Sequence, residues 1–325
     1  MKQNNFSIGV IGVGHLGEYH VKHLKTIKES KLIGIFDSNS KRASIISKRY
    51  GVDNFNSQSE LIEKCDAISI VTPTESHYKI AKTILKYGKH VFVEKPITAN
   101  VQDANELINL ANKRRLILQV GHIERINPAL LALSDYKLDP KYIEIQRLAP
   151  YSVRGTDVPV VLDKMIHDLD ILLSLVKAPL KEIHADGLSI LTESIDMAHA
   201  RISFQNNTIA NITSSRIAKE DIRKVKLFQK NLYCTLDLLK GSAEIYEIDS
   251  NSNSNIKVPF EYNGKQKTIT CTKPIIKDFD PLREELKNFI NSIAGLEKPI
   301  VDGIDARNAL ALAIKINKLI SRKSD

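Results

Sequence analysis

Cysteine is scarce: three in 325 residues, Cys65, Cys234 and Cys271, scattered and odd in number. Such spacing supports neither a disulfide framework nor a zinc cluster, and it fits a reducing cytoplasm. Long apolar runs are missing too, none approaching the roughly 20 residues that span a bilayer, so no membrane association is expected. The opening MKQNNFSIGV lacks the basic, apolar and small-residue succession of a signal peptide, and none is expected. There are no internal repeats. The net charge is +9, but lysine and arginine are spread evenly, with only short runs such as Lys113–Arg114–Arg115. No helix–turn–helix or aromatic RNA-binding signature accompanies them, so nucleic acid is not an expected partner. A small anionic ligand accounts for the excess charge as well.

What is present reads as a soluble globular chain, 42% hydrophobic and 26% charged, and long enough to divide into two domains. Up to about residue 120, apolar strand candidates (6–12, 31–37, 66–72, 89–95 and 115–121) alternate with helical stretches whose apolar residues fall three and four apart, such as Ile80, Ile84 and Leu85. That alternation predicts βαβ units and a parallel sheet covered on both faces. Beyond it strand candidates dominate, at 141–148, 180–190, 197–205, 208–216, 224–229, 232–239 and 243–248, several alternating polar and apolar residues. A half-exposed antiparallel sheet is expected there. Residues 249–255, DSNSNSN, read as a polar turn, and two helices, 281–295 and about 305–321, close the chain. The expected organisation is an α/β Rossmann domain over 1–122, then an α+β domain with a large, mostly antiparallel sheet over 123–325.

Directly after the first strand stand Gly12, Gly14 and Gly17, spaced G-x-G-x-x-G around His15 and Leu16. The first glycine permits a tight turn, the second lets pyrophosphate approach the backbone, and the third allows helix and strand to pack. The helix start then offers free N–H groups to the anion. Asp37 ends the second strand, 20 residues past Gly17, where a carboxylate accepts the ribose hydroxyls of NAD and repels a 2′-phosphate. NAD is therefore expected, with Lys41 and Arg42 keeping NADP as the lesser option. Thr72, Pro73 and His77 follow the third strand, and Glu94, Lys95 and Pro96 the fourth, so both strand ends face the crevice where such sheets bind ligands. His77 reads as a packing or helix-start residue before a catalyst.

The stretch VVLDKMIHDLD, 160–170, sets ionisable groups into an otherwise core-like helix. At 100° per residue, Asp163, His167 and Asp170 fall within about 60° of one another. They flank an apolar stripe of Leu162, Ile166, Leu169 and Leu173, with Lys164 and Asp168 away from it. Asp170 is expected to be structural, and Asp168 either to support the site residues from behind or to lie on the helix face.

A G-x-G-x-x-G, a Thr-Pro-x-x-x-His at 72–77, a Glu-Lys-Pro at 94–96 and an Asp-x-x-x-His at 163–167 occur in that order. The chain thereby resembles, over essentially its whole length, the Gfo/Idh/MocA oxidoreductases. The resemblance implies an N-terminal Rossmann domain, a C-terminal domain on an open antiparallel sheet that packs copies into a homodimer or homotetramer, and NAD- or NADP-dependent redox chemistry at a sugar or polyol carbon. It also implies a catalytic group of Lys95, Asp163 and His167, with cofactor contacts from Gly12, Gly14, His15, Leu16, Gly17, Asp37, Thr72, Pro73, His77, Glu94 and Lys95. Alcohol oxidation needs a base and a stabiliser of the developing alkoxide. His167 suits the first, since imidazole titrates near neutrality, and the Lys95 ammonium the second, with neutral Lys95 the alternative base. Asp163 then fixes the imidazole or binds a substrate hydroxyl. An ammonium beside these groups argues against a metal, and none is expected.

Within the family, residues 120–128, the 160–171 segment and Ser214, Ser215 and Arg216 followed by 223–229 resemble bacterial UDP-N-acetylglucosamine 3-dehydrogenases, which feed the diamino sugar of lipid A synthesis. That implies oxidation of a nucleotide-sugar 3-hydroxyl to a 3-keto sugar. Arg125, Asn127, Arg154 and Arg216 are the candidates to hold the substrate diphosphate, through bidentate guanidinium contacts in the arginines' case. A dehydrogenase of a free sugar or inositol and a non-catalytic NAD-bound regulator remain the alternatives.

Overall fold

The computed structural model describes residues 5–152, 158–248, 256–275 and 279–322. Contacts divide the chain into two units, one of residues 1–125 with 280–311 and the other of residues 126–279 with 312–325.

In the first unit six strands form one parallel sheet in the order β3-β2-β1-β4-β5-β6. They are β1 (Phe6–Ile11), β2 (Ser30–Phe36), β3 (Asp53–Asn54), β4 (Ala67–Ile70), β5 (His90–Glu94) and β6 (Leu118–Gly121). The order reverses between β1 and β4, and such a switch point opens a crevice at the carboxyl ends of the strands. Strands β4 and β6 are buried along their whole length, as a sheet covered on both faces requires. Helices α1 (His15–Leu24), α2 (Ser40–Tyr50), α3 (Gln58–Glu63), α4 (Thr74–Lys86) and α5 (Val101–Arg114) connect the strands. Two of them begin on asparagine caps: Asn39 accepts the Arg42 N–H and Asn100 the Asp103 N–H, which satisfies donors a helix start leaves open.

The expected division after residue 122 is continuous in sequence, whereas this unit also takes in α8 (Pro281–Ile293). The reason is packing. Leu282, Leu286, Phe289 and Ile290 of α8 join the core of Ile8, Val10, Val21 and Phe92, and Phe289 meets Phe92 edge-on at 5.7 Å between ring centres. Burying such side chains contributes about 1.5–3 kcal/mol each. Asp280 caps α8 through the Arg283 N–H. The attachment continues past α8, where the Val120 N–H donates to the Val301 carbonyl.

The second unit holds a nine-stranded sheet in the order β14-β15-β13-β12-β11-β7-β10-β9-β8. Its strands are β7 (Tyr142–Leu148), β8 (Leu180–Leu188), β9 (Met197–Phe204), β10 (Ile209–Ser215), β11 (Ile222–Gln229), β12 (Leu232–Asp237), β13 (Ser242–Ile248), β14 (Ile256–Tyr262) and β15 (Lys265–Thr272). Every pairing is antiparallel except β7 with β10. One face is buried, through Ile143 and Ile145, Ala198 to Phe204 alternately, Ala210 and Ile212, Val225 and Leu227. The other face carries polar and aromatic side chains. Short α6 (Pro128–Leu131) lies beside β12 and β13, and α7 (Ile166–Leu175) follows a wide π-helical turn over Val161–Met165 that packs on β10. The closing helix α9 (Gly303–Ser321) runs through both stretches of sequence assigned to the two units.

The hairpin β14–β15 was not expected. Most of β14 is exposed, so it shows no buried apolar period, and Pro259 sits in it as an edge strand tolerates. Residues 249–255 lie outside the described residues. Among the described residues no helix is long and apolar enough to cross a membrane, and no group of three or more His, Cys, Asp or Glu is placed to hold a metal ion.

Candidate active site

At the switch point of the first unit lies a cleft of about 390 Å³, lined among others by Gly12, Gly14, Asp37, Ser38, Gln58, Val71, Thr72, Pro73, Glu75 and Ser76. Its floor explains the glycines. Gly12 has φ +89°, and a Cβ there would sit 2.4 Å from the Val71 carbonyl oxygen. A Cβ on Gly17 would approach the Gly12 oxygen to 2.0 Å, so α1 packs against the turn only with glycine there. A Cβ added to Gly14 would meet nothing within 4 Å among the described residues, which leaves the backbone approachable at the start of α1. These residues fit a dinucleotide, whose pyrophosphate takes the free N–H groups of such a helix start.

Asp37 stands beside the loop. Its Oδ2 accepts the Val13 N–H at 2.7 Å and its Oδ1 the Asn39 N–H at 2.8 Å, which holds the carboxylate at the cleft with lone pairs remaining for ribose hydroxyls. Arg42 is turned to the chain itself. Its Nε donates to the Val13 carbonyl at 2.8 Å, and its Nη2 reaches the Gly14 carbonyl at 3.2 Å and Glu18 at 2.6 Å. Burial lifts the Glu18 carboxyl, but hydrogen bonds from Arg49, Arg42 and Tyr50 outweigh it and hold the group below its ordinary range.

Of the other expected cofactor residues, Thr72 and Pro73 line the cleft, with the Ser76 hydroxyl donating to Thr72 Oγ1 at 2.7 Å. His15 and Leu16 are exposed on the first turn of α1. His77 does not line the cleft. It is 1% exposed, with Nδ1 2.9 Å from the Pro96 carbonyl and Nε2 2.8 Å from the Thr72 carbonyl, so it ties together the strand ends that follow β4 and β5. Glu94 ends β5 and Lys95 follows it.

Asp163 and His167 belong to the second unit. The π-helical turn over Val161–Met165 corrects the expected geometry: rotation of 100° per residue does not hold from Asp163 to His167, because a π turn holds more residues than an α turn. Both side chains are half-buried, and Asp163 Oδ2 lies 4.0 Å from Lys164 Nζ. Asp168 is corrected more sharply. Of the two places expected for it, the exposed helix face is excluded: it is 1% exposed and pairs with Arg147 through Nε at 2.9 and 3.0 Å and Nη2 at 2.9 Å. Asp170 is equally buried, in keeping with a structural role.

The candidates for the diphosphate separate in the structure. Asn127 is 8% exposed and caps α6, accepting the Ala129 N–H while its Nδ2 donates to the Leu238 carbonyl at 2.9 Å. Arg216 is 2% exposed; its Nη2 donates to the Val158 carbonyl, and its Nε stands 3.9 Å from Asp196. Asp196 is itself fully buried, and although burial raises its pKa, hydrogen bonds from Ile190, Leu191 and Thr192 outweigh that and bring it to about 2. Both Asn127 and Arg216 bond to the chain's own loops. Arg125, in the first unit, faces Asp305 at 3.6 Å. Arg154 lies outside the described residues.

Sequence reasoning named Arg216 but missed the cations grouped with it in the second unit. Arg147 on β7 and Arg223 on β11 are direct cross-strand partners, and Arg216 follows β10, the other neighbour of β7. Lys164, on the π turn, joins their field: burial lowers its pKa, Asp163 raises it, and Arg223, Arg216 and Arg147 lower it again, for a net fall below the ordinary lysine value. Only strand register, which one sequence does not state, aligns these arginines.

A switch-point cleft with this glycine cradle and a carboxylate at its edge, in a chain whose second unit is built on a large mixed sheet, is the build of a dinucleotide-binding oxidoreductase. The family model described as "Oxidoreductase family, NAD-binding Rossmann fold" matches residues 6–122. The chain is 35% identical over 309 residues, 95% of each protein, to the UDP-N-acetylglucosamine 3-dehydrogenase of Acidithiobacillus ferrooxidans. The solved structure of that organism's UDP-N-acetylglucosamine 3-dehydrogenase GnnA superposes with a TM-score of 0.87 at 33% identity, covering 98% of both chains. The myo-inositol 2-dehydrogenase of Thermotoga maritima is 25% identical over 97% of this chain and 96% of its own length. The chain belongs to the Gfo/Idh/MocA family of oxidoreductases.

Proposed function

We propose that the protein oxidises the 3-hydroxyl of a nucleotide sugar, UDP-N-acetylglucosamine being the first candidate, to the 3-keto sugar with NAD. The observation that carries this reading is the 35% identity over 95% of both chains with an enzyme of that name, extending through the second unit. Lys164 on the π turn and Arg223 on β11 agree with it, because cations there favour a substrate bearing phosphates.

Lys95 binds the reacting hydroxyl and stabilises negative charge on its oxygen. His167 takes the proton, as imidazole does near neutral pH, and Asp163 orients that imidazole or holds a neighbouring hydroxyl. The nicotinamide, when bound, supplies the hydride acceptor. NAD is preferred over NADP, because Asp37 repels a 2′-phosphate and Arg42, the nearest guanidinium in sequence, already serves Val13, Gly14 and Glu18.

Formation of reduced cofactor, followed by absorbance, tests this with both NAD and NADP against UDP-N-acetylglucosamine, its C4 epimer, free sugars and inositols. Turnover of UDP-N-acetylglucosamine with NAD at least about tenfold more efficient than with NADP is expected, a discrimination of roughly 1.4 kcal/mol. Turnover of unphosphorylated polyols alone transfers the reading to the inositol dehydrogenases, and no turnover of any substrate leaves the NAD-bound regulator.

The open face of the nine-stranded sheet carries Tyr142, Phe228, Tyr233 and Tyr246 side by side, with ring centres 5.7, 4.6 and 5.6 Å apart. Phe228 is 38% exposed. We infer that a second copy of the chain covers this ladder, since aromatic side chains dominate interface cores. Tyr233→Glu is expected to shift sedimentation at micromolar concentration towards the monomer; an unchanged assembly would remove this face from the interface.

A further inference from the structure

A polar chain runs from α1 to the peptide of Lys95, outside the residues that line the cofactor cleft. His20, on α1 three residues past Gly17, is fully buried. Its Nδ1 lies 2.9 Å from the hydroxyl of Ser69 on β4, itself 1% exposed, and its Nε2 3.1 Å from Oε1 of Glu94 at the end of β5. An ionised carboxylate only accepts, so Nε2 carries a proton and donates to Glu94, and in the neutral ring Nδ1 accepts from Ser69. The other Glu94 oxygen accepts the backbone N–H of Lys95 at 3.3 Å. On its third side the carboxylate lies over Gly121 of β6, its cross-strand partner, where an added Cβ would come within 2.7 Å of Oε1. Phe92 closes the pocket edge-on to the imidazole at 5.5 Å.

Burying an imidazole fully beside a carboxylate only 12% exposed costs energy unless each is held by good partners. A leucine at position 20 and an apolar residue at 94 would fill the same core without that cost. The arrangement does something an apolar pair would not: it pins the peptide at which Lys95 leaves the sheet. It also runs from the helix whose first turn faces the cofactor cleft to the strand end that carries the lysine.

We propose that His20 is a positioning residue of the oxidation, fixing Glu94 and through it the Lys95 backbone, so that the ammonium is aimed before substrate binds. Ser69 holds the imidazole in the orientation this requires. The inference rests on the role of Lys95 proposed above. Pre-aimed groups matter because a misplacement near 1 Å can cost about 100-fold in rate.

The test uses the full-length enzyme with NAD, its affinity for NAD read by binding and its kcat and KM by turnover. His20→Leu is expected to lower kcat about 10- to 100-fold while the Kd for NAD stays within about twofold. His20→Gln, whose amide N–H can still reach Glu94, should recover most of that loss, which a purely structural role would not require. The decisive arm is the Lys95→Met background, in which His20→Leu should cost nothing further, because residues acting as one unit are non-additive. Should His20→Leu fail to fold, Ser69→Ala keeps the pocket filled and is expected to lower kcat about threefold, again only when Lys95 is present. Wild-type kcat in His20→Leu, or the same loss with and without Lys95, overturns the proposal. If Lys95→Met itself turns over normally, the reading of Lys95 has failed, and that result is seen separately from the behaviour of position 20.

Discussion

Lys95→Met is expected to lower kcat for the sugar oxidation by about a thousandfold, close to 4 kcal/mol of transition-state stabilisation. Methionine keeps the length and apolar volume of the lysine stem but removes the cation. The developing charge on the substrate oxygen then has no partner, and the loss falls on kcat because the interaction strengthens as the hydroxyl proton leaves. Affinity for NAD should stay within about threefold, since Lys95 is not among the residues lining the cleft below Gly12 and Gly14. Lys95→Arg is expected to recover little: a planar guanidinium places its charge farther from the backbone and spreads it. Steady-state kinetics of the two variants beside an NAD titration decide the matter. A Lys95→Met enzyme within about tenfold of wild-type kcat would remove the lysine from the chemistry, whereas equal losses in kcat and NAD binding would make it a cofactor contact.

Legibility in the sequence followed the physics of each element. The parallel sheet announced itself because βαβ units alternate two clear periods, and because Gly12 and Gly17 admit no other residue. Helix α8 showed its amphipathic pattern, yet nothing local in Leu282, Leu286 and Phe289 says that their partners are Ile8, Val10 and Phe92, far earlier in the chain. The β14–β15 hairpin carried a local sign, Asn263-Gly264, both residues at positive φ, as two-residue hairpin turns favour. It lacked a buried face to make that sign persuasive. At 160–170 the residues were legible and their arrangement was not. A helical wheel assumes a uniform turn, and the π turn over Val161–Met165 re-aims Asp163 relative to His167. The cofactor cleft of the first unit is thus written in short motifs, while the charged cluster of the second unit depends on strand register, which brings Arg147 opposite Arg223 and lets α7 set Asp168 against Arg147.

That last pair gives the largest expected effect on stability. Asp168→Ala should destabilise the second unit by about 3–5 kcal/mol, because it strands the guanidinium of Arg147 in the core without its carboxylate. The side chains of Arg147 and Asp168 are only 6% and 1% exposed, so water replaces little of the lost contact. The cost is compounded by Arg223, directly across the ladder from Arg147, since like charges facing each other across strands repel. Asp168→Asn, which keeps an acceptor but no charge, should lose less, about half as much. The double variant Arg147→Met with Asp168→Leu should sit within about 1–2 kcal/mol of wild type, because matched apolar residues remove the buried charges together. Urea unfolding of the three variants, followed by a probe within the second unit, separates these cases. If Asp168→Ala moved the midpoint by no more than Asp168→Asn does, or if the double variant were the least stable of the three, the Arg147–Asp168 pair would not be what holds α7 to the sheet.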